Sequence, residues 1–198
     1  MKDKANANEL INLQSLENIV KAFEEKFAEY FAQKYDYEPL GFTAQTSLFK
    51  LDGDFKDELP QAYLGNIIAR DIQIDERFLY DKTVFDSEIE HEILKVKPQN
   101  EVVVYGKLPK RSIKVPTYTG GTTSPDFVYA ISQDGGKSVS LHLFVETKSE
   151  NLRMSDTIAI HAQEKLFKQI PNTVWRKETD AAKFERELKE WVAKDTKP

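Results

Sequence analysis

Two short runs separated by a turn constrain this chain more than any other feature in it. Phe127-Val128-Tyr129-Ala130-Ile131 and Val139-Ser140-Leu141-His142-Leu143-Phe144-Val145 are rich in β-branched and aromatic residues, and Asp134-Gly135-Gly136 lies between them. The arrangement predicts a β-hairpin. If the chain folds back about Gly136, opposed residue numbers sum to 272 and Asp126 faces Glu146. Side chains alternate between the two faces of a strand. Phe127, Tyr129, Ile131, Leu141, Leu143 and Val145 then share the face expected in the core. Asp126, Glu146 and Lys148 share the other face, at the open end of the hairpin. A slip of one residue would reverse that assignment, and the turn is long enough to allow one.

Two carboxylates held side by side repel each other unless they share a cation, so Asp126 and Glu146 are candidate ligands of a hard divalent ion. Mg²⁺ takes one or two carboxylates together with water and substrate phosphate. The chemistry such a site supports is metal-assisted hydrolysis of a phosphodiester, with Lys148 orienting the attacking water or offsetting developing charge. The plain alternative is a solvated cluster of surface ions. An isolated E-x-K cannot separate the two, because so short a pattern recurs by chance. Pro-Asp at the head of one strand, with an apolar run ending in E-x-K on the next, is far more specific.

Ser124-Pro125-Asp126 with Glu146-Thr147-Lys148 resembles the PD-(D/E)xK signature of the restriction-endonuclease-like superfamily. The likeness extends over 115–127 (VPTYTGGTTSPDF), then Phe144 to Lys148, then Asn151-Leu152-Arg153. This stretch resembles the C-terminal nuclease domain of the restriction (R) subunit of type III restriction enzymes. That family reads V-P-T-P-x-G, N-P-D-W, V-E-T-K-G and L-R. The chain departs from it at Tyr118, Ser124, Phe127 and Ser149, none of which is a proposed metal ligand. The close match runs from about Phe85 to Lys168. The resemblance implies a Mg²⁺-dependent endonuclease acting on double-stranded DNA, with Mn²⁺ able to substitute. It also implies an ATP-driven motor domain upstream and a methyltransferase subunit as partner. No Gly-x-x-x-x-Gly-Lys-Ser/Thr occurs here, so ATP is not expected to bind this chain. Another PD-(D/E)xK nuclease of repair or mobile elements, and an inactive binding module of the same fold, are the alternatives.

Glu90 has two readings. Ser87 and Glu90 have capping-box spacing at a helix start, which alone explains the glutamate. In many members of the superfamily a glutamate from the helix before the sheet joins the metal site, and Glu90 matches it.

The formal charge is −5, but it is divided unevenly: residues 1–92 hold 10 Lys+Arg against 20 Asp+Glu, and residues 93–178 hold 13 against 8. The basic part carries the motif. Lys107, Lys110, Arg111 and Lys114 precede it, Arg153 follows, and local patches of this kind bind phosphate backbones whatever the overall charge. Gln163 is a further candidate for DNA contact, because some superfamily nucleases place Gln-x-x-x-Tyr on this helix; Phe167 stands for the tyrosine and is expected in the core. The absence of cysteine excludes disulfides and thiolate metal sites, and it fits a cytoplasmic protein. No apolar run is long enough to span a bilayer.

Along the rest of the chain, apolar residues at three-to-four spacing predict an amphipathic helix from Leu10 to about Tyr35, acidic side out. Weak alternation suggests strands at Phe42–Leu51, Asn66–Ile74 and Phe78–Phe85. Residues 1–85 are expected to form an α+β extension and residues 86–198 the nuclease core. The core should run helix (from Ser87), strand (Val102–Tyr105), hairpin, helix (capped by Ser155 or Asp156, to about Ile170), strand (172–175) and helix (Asp180–Val192). The fold class expected is α/β, a restriction-endonuclease-like αβββαβ core with a mixed central sheet flanked by helices.

Overall fold

The computed structural model describes residues 12–39, 50, 52, 54 and 56–195. Its centre is the hairpin. Strand β6 (Phe127–Ile131) pairs antiparallel with β7 (Leu141–Thr147), with Phe127 opposite Val145 and Ile131 opposite Leu141. That is the register expected from the sequence. The alternation explains why it is fixed: Phe127, Tyr129, Ile131, Leu143 and Val145 are each at most 2% exposed, and a one-residue slip of β7 would put His142, Phe144 and Glu146 in place of Leu141, Leu143 and Val145.

Two more strands complete the sheet. β3 (Val102–Lys107) lies antiparallel beside β6, and β8 (Thr173–Glu178) lies parallel to β7, so the order is β3-β6-β7-β8. A parallel neighbour requires a crossover, here helix α3 (Met154–Phe167). Helices α2 (Glu88–Lys95) and α4 (Ala181–Asp195) cover the hairpin's apolar face, with Ile93, Phe184 and Leu188 buried against Tyr129 and Leu143. Helix α3 covers the opposite face, where Phe167 stacks on Phe144 at 4.4 Å between ring centres. In chain order α2, β3, β6, β7, α3 and β8 give αβββαβ. Two further two-stranded pieces are β1 (Ile67–Ile68) with β2 (Val84–Phe85), and β4 (Val115–Pro116) with β5 (Thr122–Thr123).

The structure departs from several expectations. The strands expected over 66–74 and 78–85 shrink to the β1–β2 pair. The reason is that residues 77–79 turn instead to the edge of β3: the Tyr105 N–H donates to the Arg77 carbonyl, the Leu79 N–H to the Tyr105 carbonyl, and Phe78 is buried in the main core. The strand expected over Phe42–Leu51 falls mostly on residues 42–49 and 51, outside the described residues. Helix α3 begins after Arg153 rather than at Ser155 or Asp156. Asp156 sits three residues in, and its Oδ2 accepts the Arg153 N–H at 3.0 Å.

Helix α1 (Leu13–Ala32) forms where expected, started by Asn12, whose Oδ1 accepts the Ser15 N–H at 2.8 Å. Its apolar side is not covered by the described chain: Leu13 is 74% exposed, Phe23 67% and Tyr30 56%. Only the last turns dock, through Ala28, through Phe31 stacked on Tyr118, and through Lys165, whose ammonium donates to the Ala32 and Tyr35 carbonyls. No helix among the described residues is long and apolar enough to cross a membrane.

Candidate active site

Asp126 is the residue just before β6, and its backbone is fastened on both sides. Its N–H donates to the Val145 carbonyl at 2.9 Å, and its carbonyl accepts the Leu108 N–H at 2.6 Å. Glu146 occupies the next position along β7 and Lys148 follows the strand. The two acids and the lysine therefore meet at one end of the sheet. Lys148 Nζ lies 2.7 Å from Glu146 Oε1 and 3.7 Å from Asp156, and Gln163 Nε2 donates to Glu146 Oε2 at 3.0 Å. The Thr147 N–H and hydroxyl both donate to Asp126 Oδ2, each at 2.7 Å.

Glu90 reaches the same place from the first turn of α2. Ser87 Oγ accepts the Glu90 N–H at 3.3 Å, but the carboxylate does not return to the Ser87 N–H as a capping box would have it. Its Oε2 accepts instead the Asp86 N–H at 2.8 Å and the Lys107 ammonium at 2.5 Å. The carboxylate is thus a buried member of the cluster, close enough to raise the Asp126 pKa through its charge.

The electrostatics follow from burial. Asp126 is held above the ordinary aspartate range by loss of solvent first, with the Thr147 hydrogen bonds opposing the shift. Glu146, 2% exposed, is pushed up to about 7 by burial and by the charge of Asp126. For Lys148, burial works against the charged form, but Glu146 outweighs it and the lysine rises above its ordinary range. Asp126 feels the charge of Glu90, and Glu146 that of Asp126, which is what a shared cation would relieve.

The oxygens open to such a cation can be named. Among the described residues, Asp126 Oδ1 and Glu90 Oε1 accept no hydrogen bond, and neither is a sealed, unpartnered atom. Glu146 Oε1 is shared with Lys148. These all-oxygen donors suit a hard ion such as Mg²⁺ or Mn²⁺ rather than a soft one. They stand somewhat apart. The one described trio of carboxylate and imidazole ligand atoms within 4.8 Å of one another is Glu88, His91 and Glu92 on the outer side of α2.

The cations expected to meet DNA divide into two groups. Lys110, Arg111 and Lys114 line a groove with Thr122, Thr123 and Ser124, beside the Pro-Asp turn. Lys110 also pairs with Asp86 at 2.9 Å, and Arg111 adopts a left-handed φ of 65°. Arg153 is exposed, with Nε 3.1 Å from Asp156. Two expectations are corrected. Lys107 is only 4% exposed, because β3 runs on through it and the buried acids Glu90 and Asp86 take its charge. Gln163 is fully buried, because the Trp175 indole N–H donates to its Oε1 at 2.8 Å and its amide donates to Glu146 and to Thr123 Oγ1. An indole nitrogen can only donate, so the amide orientation is determined. Neither side chain is placed to touch a phosphate; each holds an acid in position. The sequence signalled neither role. Thr147 was also missed, although a hydroxyl in the middle of E-x-K was there to be noticed.

The αβββαβ core with an acid–acid–lysine group at one end of its sheet defines a protein of the restriction-endonuclease-like class. Comparison with known proteins makes this specific: residues 76–186 match a family model described as an endonuclease domain, and the chain belongs to that family. It is 41% identical over 157 residues to the Res subunit of the type III restriction-modification enzyme StyLTI of Salmonella typhimurium, covering 77% of this chain and 16% of that protein. It is 29% identical over 184 residues to the EcoPI Res subunit of Escherichia phage P1 and to the EcoP15I Res subunit of Escherichia coli, covering 88% of this chain and 18% of each. The chain thus spans less than a fifth of the length of these relatives. No solved structure matches it.

Proposed function

We propose that this chain is the DNA-cutting module of a type III restriction-modification enzyme and hydrolyses phosphodiester bonds of double-stranded DNA with Mg²⁺. The observation that carries the reading is the gathering of Asp126, Glu146 and Lys148, with Glu90, at one end of the sheet. Asp126 Oδ1, Glu90 Oε1 and Glu146 Oε1 are the ligands. A divalent ion held there polarises the phosphoryl group and acidifies the attacking water. Lys148, partly exposed and tied to Glu146, orients that water and offsets charge developing on the phosphate. Lys110, Arg111 and Lys114 hold the DNA backbone beside the Pro-Asp turn, and Arg153 flanks the site on the side of α3.

The relatives are about six times as long as the matched stretch, and each is named as the Res subunit of a type III restriction-modification enzyme. The length leaves room for an ATP-driven motor in the same subunit, and the name supports a separate methyltransferase subunit that supplies sequence recognition. The test is Asp126→Ala in the whole enzyme assembly. Mg²⁺-dependent cleavage should vanish, a loss of at least a thousandfold, while DNA binding in a gel-shift assay persists. Unchanged cleavage would remove the mechanism.

A further inference from the structure

Each acid of the site has one oxygen tied by a neighbouring segment; Asp126 and Glu90 present the other, whereas the second oxygen of Glu146 meets Lys148. For Glu90 the tie is made by Lys107 and the Asp86 N–H, and for Glu146 by Gln163. The tie on Asp126 differs in coming from the residue between the glutamate and the lysine of E-x-K. Thr147 is 6% exposed, and its hydroxyl and N–H converge on Oδ2 alone, leaving Oδ1 without a described donor. A carboxylate accepting two hydrogen bonds on one oxygen has lost its freedom to rotate. The ordering cost of binding an ion through the other oxygen is then met before the ion arrives.

We infer that Thr147 is a positioning residue of the site: its hydroxyl fixes the Asp126 carboxylate so that Oδ1 alone faces the divalent ion. This rests on the reading of Asp126 as a metal ligand. The backbone N–H would remain in any variant, so the hydroxyl can be removed by itself. Valine has nearly the shape of threonine and suits a strand equally well, whereas serine keeps the hydroxyl. Loss of a hydrogen-bonded partner of a ligand lowers metal affinity by about 10–100-fold.

The experiment is calorimetric titration of Mn²⁺ into the full chain and three variants, with circular dichroism confirming the fold. T147V should bind about tenfold or more weakly, T147S within about threefold of wild type, and D126N not measurably. If T147V does not fold, T147A carries the same test. Wild-type affinity in T147V or T147A alongside loss in D126N would overturn the positioning role and leave the metal site standing. Wild-type affinity in D126N would overturn the metal site itself.

Discussion

Glu146 combines near-complete burial with a pKa of about 7 and a lysine at 2.7 Å, and this has a measurable consequence without any DNA. A carboxyl whose folded-state pKa lies above its unfolded value contributes stability that is full below the unfolded value and is lost as pH rises through the folded one. Asp126 and Glu178 shift in the same direction, Glu178 also to about 7 through burial and the charge of Glu187. The depressed carboxyls, Asp86 and Asp156 among them, act below the ordinary aspartate range and leave this window untouched. The Tm of the metal-free protein should therefore fall between pH 5 and pH 8. Mg²⁺ or Mn²⁺ should raise it more at pH 8 than at pH 5.5, since the ion competes with the proton. Calorimetric melts across this range check both, and Glu146→Gln should flatten the profile; a Tm independent of pH in the wild-type protein would contradict the assignment. Legibility at this scale was uneven. Asp126 and Glu146 could be placed together from the sequence because the alternation around them fixes the hairpin register. Gln163 was placed correctly on the inner face of α3 but given the wrong partner, because what fixes it is Trp175 on β8, a contact no local pattern encodes.

Among the elements, the hairpin was the most legible because two physical signals agreed. The alternation of Phe127, Tyr129, Leu143 and Val145 defines a face, and the glycines at Gly135 and Gly136, with φ of 70° and 90°, mark the turn. The two short strands β1 and β2 were overread, since the isoleucines of residues 67–74 imitate a strand whose hydrogen bonds are taken elsewhere. Helix α1 shows the opposite limit. Its period was plain, yet periodicity reveals an apolar face without saying what meets it. Leu13, Leu16, Val20, Phe23 and Phe27 are exposed although spaced three and four apart. Glutamine in place of Leu16, Val20 or Phe23 should therefore change stability by no more than about 0.5 kcal/mol each. Urea titration measures this, and a loss above about 2 kcal/mol at any of them would show the face to be covered.

Over the whole molecule, charge and topology divide the labour. The acidic residues 1–92 contribute Glu90 to the site, whereas the basic residues 93–178 supply the groove beside it. Each phosphate contact adds about one to the slope of log affinity against log salt. Lys114→Ala in the full assembly should lower that slope by about one for any DNA sequence and leave Mn²⁺ affinity unchanged, as fluorescence anisotropy over a range of KCl concentrations can show. An unaltered slope would take Lys114 out of the interface. The core also draws on residues before 86, through Phe78 and Tyr80, so part of the N-terminal extension packs on the sheet core. The clustered acids come from α2, from the residue before β6 and from β7, and the amide that steadies one of them comes from α3, so the site is assembled only when these four segments are folded together.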